Sequence, residues 1–176
     1  EKINQLDVHI SKGLLERTIG NEAYKKITKL KYKFQPFIKI PEPIFIPDKF
    51  IHDSDIKMTI YKRISMIVSE KEKNNLMVEL VDRFGKLPKE VNNLFKLIEI
   101  KILCLKLHIE QVEFGKKGIL FSFYNNKPLN PEKILNLCLI NKNIYIRSDQ
   151  KIFYNLLGNP SFDRFDLIKK IFKKLN

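Results

Sequence analysis

The sequence predicts an α+β fold: an extended strap and a three-helix stretch, followed by a small mixed or antiparallel sheet with covering helices. Three observations carry that expectation. Residues 54–107 read as three consecutive helices with legible boundaries. Beyond His108 the apolar period changes from helical to alternating. Ahead of the helices, prolines punctuate an apolar run that no helix accommodates. Helices first, then strands mixed with helices, is the order of an α+β domain.

In chain order, Leu6, Val8 and Ile10 alternate as in a strand, and Ala23, Ile27 and Leu30 suggest a short basic helix after Gly20-Asn21. From Phe34 to Ile46, Phe37, Ile38, Ile40, Ile44 and Phe45 are interleaved with Pro36, Pro41 and Pro43. Proline lacks an N–H and pushes its predecessor toward extended geometry, so this stretch reads as an edge strand or a strap over a core. The first helix is capped by Asp53 or Ser54 and buries Ile56, Ile60, Ile64, Ile67 and Val68.

The second helix opens on Ser69 with Glu72 three residues on, a capping box in which each side chain satisfies a free backbone N–H. It closes at Gly85, which most cheaply adopts a left-handed turn. Leu76, Met77, Leu80, Val81 and Phe84 recur at helical spacing as its buried stripe. At about 100° per residue, Glu79 and Asp82 point away from that stripe, with Glu72 two turns back on nearly the same side. Arg83 falls closer to the buried side, where a local salt bridge is the favoured reading. Pro88 suits the first position of the third helix, whose apolar stripe is Val91, Leu94, Phe95, Ile98, Ile102 and Leu105.

Residues 109–114 and 119–124 flank Gly115-Lys116-Lys117-Gly118 as a β-hairpin. Asn130-Pro131 opens a helix through Ile140, with Ile134, Leu135 and Cys138 inward. Residues 145–147 and 152–156 form a second hairpin around Ser148-Asp149-Gln150. After Gly158-Asn159-Pro160 a last amphipathic helix carries Phe165, Ile168, Ile171, Phe172 and Leu175.

With 176 residues, 44% hydrophobic and 30% charged, the chain can bury a sizeable core. It opens on Glu rather than Met and shows no signal segment, so it reads as a fragment of something longer or a processed chain. No apolar run approaches the roughly 20 residues that span a bilayer, and a soluble cytoplasmic protein is the default. Cys104 and Cys138 sit among Leu and Ile, where free thiols behave as small hydrophobes. The net charge of +13 invites nucleic-acid binding, but only five of 33 basic residues are Arg, the side chain suited to bidentate phosphate contact. A solvated lysine surface and genuine DNA or RNA contact both stay open.

Catalytic and metal-binding patterns are missing from the sequence. The six glycines form no phosphate-binding motif, and His9, His52 and His108 lack metal-ligand spacing with any Cys. His52-Asp53-Ser54 holds the residue types of a hydrolase triad, yet adjacent positions cannot deliver triad geometry, and a helix cap explains them better. No enzymatic activity is expected of this stretch, and no cofactor.

Three strings, taken in order, give the chain a family likeness. They are Ile46-Pro47-Asp48 with Phe50-Ile51, Tyr61-Lys62-Arg63-Ile64, and Glu79-Leu80-Val81-Asp82-Arg83-Phe84-Gly85-Lys86-Leu87-Pro88. The series resembles I-P-D-x-[FY]-I, Y-[KR]-R-[ILV] and E-L-x-D-R-F-G-x-L-P of the C-terminal (TRCF) domain of bacterial transcription-repair coupling factors (Mfd). The likeness covers about Phe34 to the C-terminus and weakens after Ile109. It leaves residues 1–33 as a connecting segment or insertion and 34–176 as a C-terminal regulatory domain.

What the resemblance implies is specific. The full protein of that family is an ATP-dependent, helicase-like DNA translocase that removes stalled RNA polymerase and recruits UvrA for nucleotide-excision repair. ATP and Mg belong to the parent motor. This domain would dock on the N-terminal UvrA-binding module of the same polypeptide, mask it and restrain the motor. The family's acidic contact pair falls on Glu79 and Asp82, with Glu72 a possible extension of the ridge. UvrA, RNA polymerase and duplex DNA are then the parent's partners, with no membrane. The rival expectation is a basic accessory domain contacting duplex DNA through Lys25, Lys26, Lys29, Lys31 and Lys33 and through Lys169, Lys170, Lys173 and Lys174.

Overall fold

The computed structural model describes residues 34–156 and 163–175. The strand expected around Leu6–Ile10, the basic helix around 23–30 and the Gly158-Asn159-Pro160 break lie outside them. The fold is α+β, with five α-helices and a five-stranded mixed sheet among the described residues. Two compact units emerge, one spanning Glu42–Ile102 and one made of Phe34–Pro41 with Leu103–Asn176.

The first unit holds helices α1 (Ser54–Met66), α2 (Glu70–Phe84) and most of α3 (Lys89–Leu107). Asp53 caps α1 by accepting from the backbone N–H groups of Asp55 and Ile56. The Ser69/Glu72 capping box of α2 is formed as the sequence predicts. Gly85 has positive φ as expected, but with φ 82° and ψ −157° it occupies a glycine-only region rather than the ordinary left-handed helical one. Pro88 stands one residue ahead of α3, its carbonyl accepting from Asn92. Within α3, Val91, Leu94, Phe95, Leu97, Ile98, Ile100 and Ile102 are all buried, so the helix is apolar around its circumference rather than along one stripe.

Past β-strand residues 37–39 the strap is not the continuous extended run expected: it bends at Pro41-Glu42 and Phe45 and turns at residues 48–50, where the Phe50 and Ile51 amides donate to Pro47 O. Ile44, Ile46 and Ile51 are buried, the Ile46 amide donates to Tyr61 Oη at 2.7 Å, and Asn93 Nδ2 donates to Pro43 O at 3.0 Å. Burial raises the Tyr61 phenol above its ordinary pKa. Two helix faces are narrower than expected. In α2, Leu76 and Leu80 are buried, Met77 and Phe84 are half-buried, and Val81 is exposed. Lys73 takes the place beside them, buried because its ammonium pairs with Glu99 of α3 at 2.5 Å and Glu70 at 2.9 Å. In α1, Ile56 and Val68 just beyond it are half-buried, whereas Ser65 is buried with its hydroxyl donating to Lys62 O at 2.6 Å.

The second unit is the sheet and its covering helices. Strands β1 (Phe37–Lys39), β2 (Ile109–Phe114), β3 (Gly118–Phe123), β4 (Ile144–Ile146) and β5 (Ile152–Asn155) lie in the order β1-β2-β3-β5-β4. The proline-spaced run supplies the edge strand β1, parallel to β2, and the other pairings are antiparallel. Helix α4 (Pro131–Ile140) buries Ile134 and Leu137, while Leu135 is exposed and Cys138 half-buried; the inward pair is i and i+3, not i and i+1. Helix α5 (Arg164–Leu175) buries all five expected apolar residues and sets Phe172 edge-on against Phe121 of β3 at 5.6 Å. Both cysteines are free, and burial pushes the Cys104 thiol far above its ordinary pKa.

Candidate functional site

The acidic residues expected on α2 meet three different fates. Glu72 is used by the fold, its Oε2 accepting from the amides of Val68 at 2.9 Å and Ser69 at 3.2 Å. Glu79 lies between two guanidiniums. Arg63 of α1 grips it with both terminal nitrogens, at 2.7 Å to Oε1 and 2.5 Å to Oε2, and Arg83 one turn on donates to Oε1 at 3.1 Å. Asp82 is exposed, and its carboxylate has no partner among the described residues.

A fork-to-fork contact of this kind is directional and stronger than a neutral hydrogen bond. The Arg63 hydrogen bonds, with Arg83 adding to them against partial desolvation, hold the Glu79 carboxyl down to about 2. Of the roughly four lone-pair positions on a carboxylate, three at Glu79 are occupied, whereas none on Asp82 is taken by a described residue. Arg83 is exposed rather than inward, and its guanidinium also lies over the Phe84 ring at 4.9 Å from the centroid. The ridge is therefore a mixed-charge strip in which Asp82 is the bare carboxylate.

Beside the strip is a cleft of about 340 Å³ lined by Arg63, Met66, Ile67, Glu72, Asn75 and Leu76. Leu76 and Ile67 are buried at its floor, and Asn75 is exposed on its rim. At Ser65, next in sequence to the lining residue Met66, Lys101 of α3 donates to the backbone carbonyl at 2.5 Å. Part of the residue keeps solvent, but desolvation of its ammonium dominates over attraction to Glu72 and pulls it down to about 8.

Sequence reasoning missed Arg63 as a site residue although it stands inside the Tyr61-Lys62-Arg63-Ile64 string. The i,i+4 spacing of Glu79 and Arg83 is visible in one helix, but Arg63 is 16 residues away on another. Elsewhere, Asp53 is occupied as the α1 cap and His52 Nδ1 lies 3.1 Å from Asp48 O, so these two of the His-Asp-Ser run serve the turn into α1. Among the described residues no group of three or more His, Cys, Asp or Glu could hold a metal, and no helix is long and apolar enough to cross a membrane. Of the C-terminal lysines, Lys169 pairs with Asp166 at 2.9 Å while Lys170, Lys173 and Lys174 are exposed on α5. Lys25 to Lys33 lie outside the described residues.

Residues 40–134 match the family model described as the TRCF domain. Among curated proteins, the transcription-repair-coupling factor of Rickettsia conorii is 31% identical over 87% of this chain and 14% of its own length. That of Rickettsia bellii is 35% identical over 78% of this chain and 13% of its own, and that of Escherichia coli 32% over 58% and 9%. The chain thus spans about a seventh or less of the length of these relatives. Among solved structures, the crystal structure of a C-terminal domain of transcription-repair coupling factor superposes with a TM-score of 0.66 at 19% identity, covering 81% of this chain and 92% of that one.

Proposed function

This chain belongs to the TRCF-domain family, the C-terminal domain of transcription-repair coupling factors, and we propose that within such a polypeptide it acts as an autoinhibitory clasp. In this reading it docks on the N-terminal UvrA-binding module of its own chain, masks the recruiting surface and restrains an ATP-driven DNA translocase. The observation that carries the reading is the Glu79-Leu80-Val81-Asp82 segment, which turns its carboxylates to the outer side of α2 with Asp82 bare and Glu79 oriented by Arg63. A carboxylate with open acceptor positions takes an arginine of the facing module bidentately. Because both modules belong to one chain, their effective concentration is on the order of millimolar, so a modest contact excludes UvrA until the complex is activated. The domain contributes no catalytic group; ATP and Mg serve the motor, in the cytoplasm.

The test is UvrA capture by the full-length coupling factor that contains this chain. Asp82→Arg, at an exposed position, should leave folding intact and raise UvrA affinity by about tenfold or more, the scale of one charge pair turned to repulsion. Unchanged capture would remove the masking role. A second reading, duplex DNA contact, rests on exposed Lys170, Lys173 and Lys174. Salt-sensitive duplex binding that Asp82→Arg leaves alone and that neutralising these lysines abolishes would favour it.

A further inference from the structure

We propose that the cleft between the end of α1 and the first turns of α2 is a second contact of the same docking surface, taking one apolar side chain of the segment whose arginine meets Asp82. The inference rests on the clasp reading and adds what else that segment must present.

The cleft and Asp82 share one side of one helix. Asn75 on the cleft rim and Asp82 are seven residues apart, which on an α-helix is about 10.5 Å along the axis and within about 20° of the same line. The two ends have different chemistry. At Asp82 an unpaired carboxylate calls for a cation. At the cleft, Met66, Ile67 and Leu76 give an apolar lining, and the flanking charges are already committed, Arg63 to Glu79 and Glu72 to the start of α2. A charged side chain entering there would meet no uncommitted counter-charge, whereas an aliphatic or aromatic one would remove the apolar lining from water. The Asn75 amide has no partner among the described residues and offers a donor and an acceptor to the backbone of whatever enters. Arg63 joins the two ends, since it lines the cleft and its guanidinium grips Glu79, which lies between Asn75 and Asp82 on α2. The occupant is therefore a helical segment carrying an arginine and an apolar side chain about 10 Å apart, the spacing of positions i and i+7 on one helix face.

Asn74 and Asn75 supply a matched test, because both are exposed and only Asn75 lines the cleft. In the full-length coupling factor, Asn75→Trp would fill the cleft and raise UvrA affinity by about tenfold, the worth of one buried apolar side chain, while Asn74→Trp would match wild type. Thermal melts of both variants serve as the folding control. If Asp82→Arg releases UvrA binding but both Trp variants behave as wild type, the cleft proposal is overturned and the clasp stands. If Asp82→Arg itself does nothing, the clasp reading falls and the cleft proposal with it.

Discussion

Glu79 is held so firmly by Arg63 and Arg83 that its substitution reports on the fold as well as on any partner. Its carboxyl lies at about 2 instead of 4.5, so the pair's contribution is complete above pH 4.5 and is lost as pH falls through about 2. Solvent reaches a third of the side chain, which reduces the worth of the shift to about 1 kcal/mol. Urea unfolding should show Glu79→Gln less stable than wild type by that amount at neutral pH, with the gap closing near pH 2. A gap that persists there would mean that the ion pair is not its source. Lys101 titrates in the opposite sense. Its folded-state pKa of about 8 lies below the ordinary 10.5, so the unfolded chain binds more protons between those values and stability rises with pH across the interval. Replacing it in Lys101→Met should flatten that rise relative to wild type, and parallel pH profiles would contradict the assignment. At this scale the sequence shows the residue types but only part of their pairing. The Glu79–Arg83 contact follows from spacing within one helix, whereas the Arg63–Glu79, Lys73–Glu99 and Lys101–Ser65 contacts depend on how neighbouring helices cross.

The helix ends are where local chemistry and observed structure agree best, because a cap is decided by three or four adjacent residues. Ser69→Ala removes the acceptor for the Glu72 amide and should cost about 1 kcal/mol in thermal or chemical unfolding. Gly85→Ala should cost about 1–3 kcal/mol for a conformational reason alone, since an added Cβ would meet nothing within 4 Å but φ 82° with ψ −157° is open only to glycine. A neutral Gly85→Ala would show that the turn relaxes freely. Gly118 is constrained differently: a Cβ there would collide with the Tyr154 carbonyl and the Phe153 ring, so glycine permits the close approach of β3 and β5. Buried faces were legible in direction but not in width. Periodicity puts Val81 in the buried stripe of α2 and Leu135 on the inward face of α4, yet both are exposed, each at the margin of its stripe, where the covering neighbour decides exposure.

For the whole chain, α+β class and the two hairpins follow from the switch in apolar period at His108. The parallel pairing of β1 with β2 does not, because Phe37–Lys39 meets Gln111–Glu113 across more than 70 residues of intervening chain. Pairing over such a separation is set by tertiary packing rather than by any local pattern. The candidate site has the same character: a family string marked Glu79 and Asp82, and geometry then distinguished a carboxylate committed to Arg63 from one left open. What Asp82 and Glu79 meet is read by a titration of this chain against the N-terminal module of its parent polypeptide, for wild type and for Glu79→Arg with Asp82→Arg, with circular dichroism confirming that both are folded. The clasp reading expects saturable binding by wild type and none by the folded double reversal. Equal binding by the two, or none by wild type at high micromolar concentration, would contradict it.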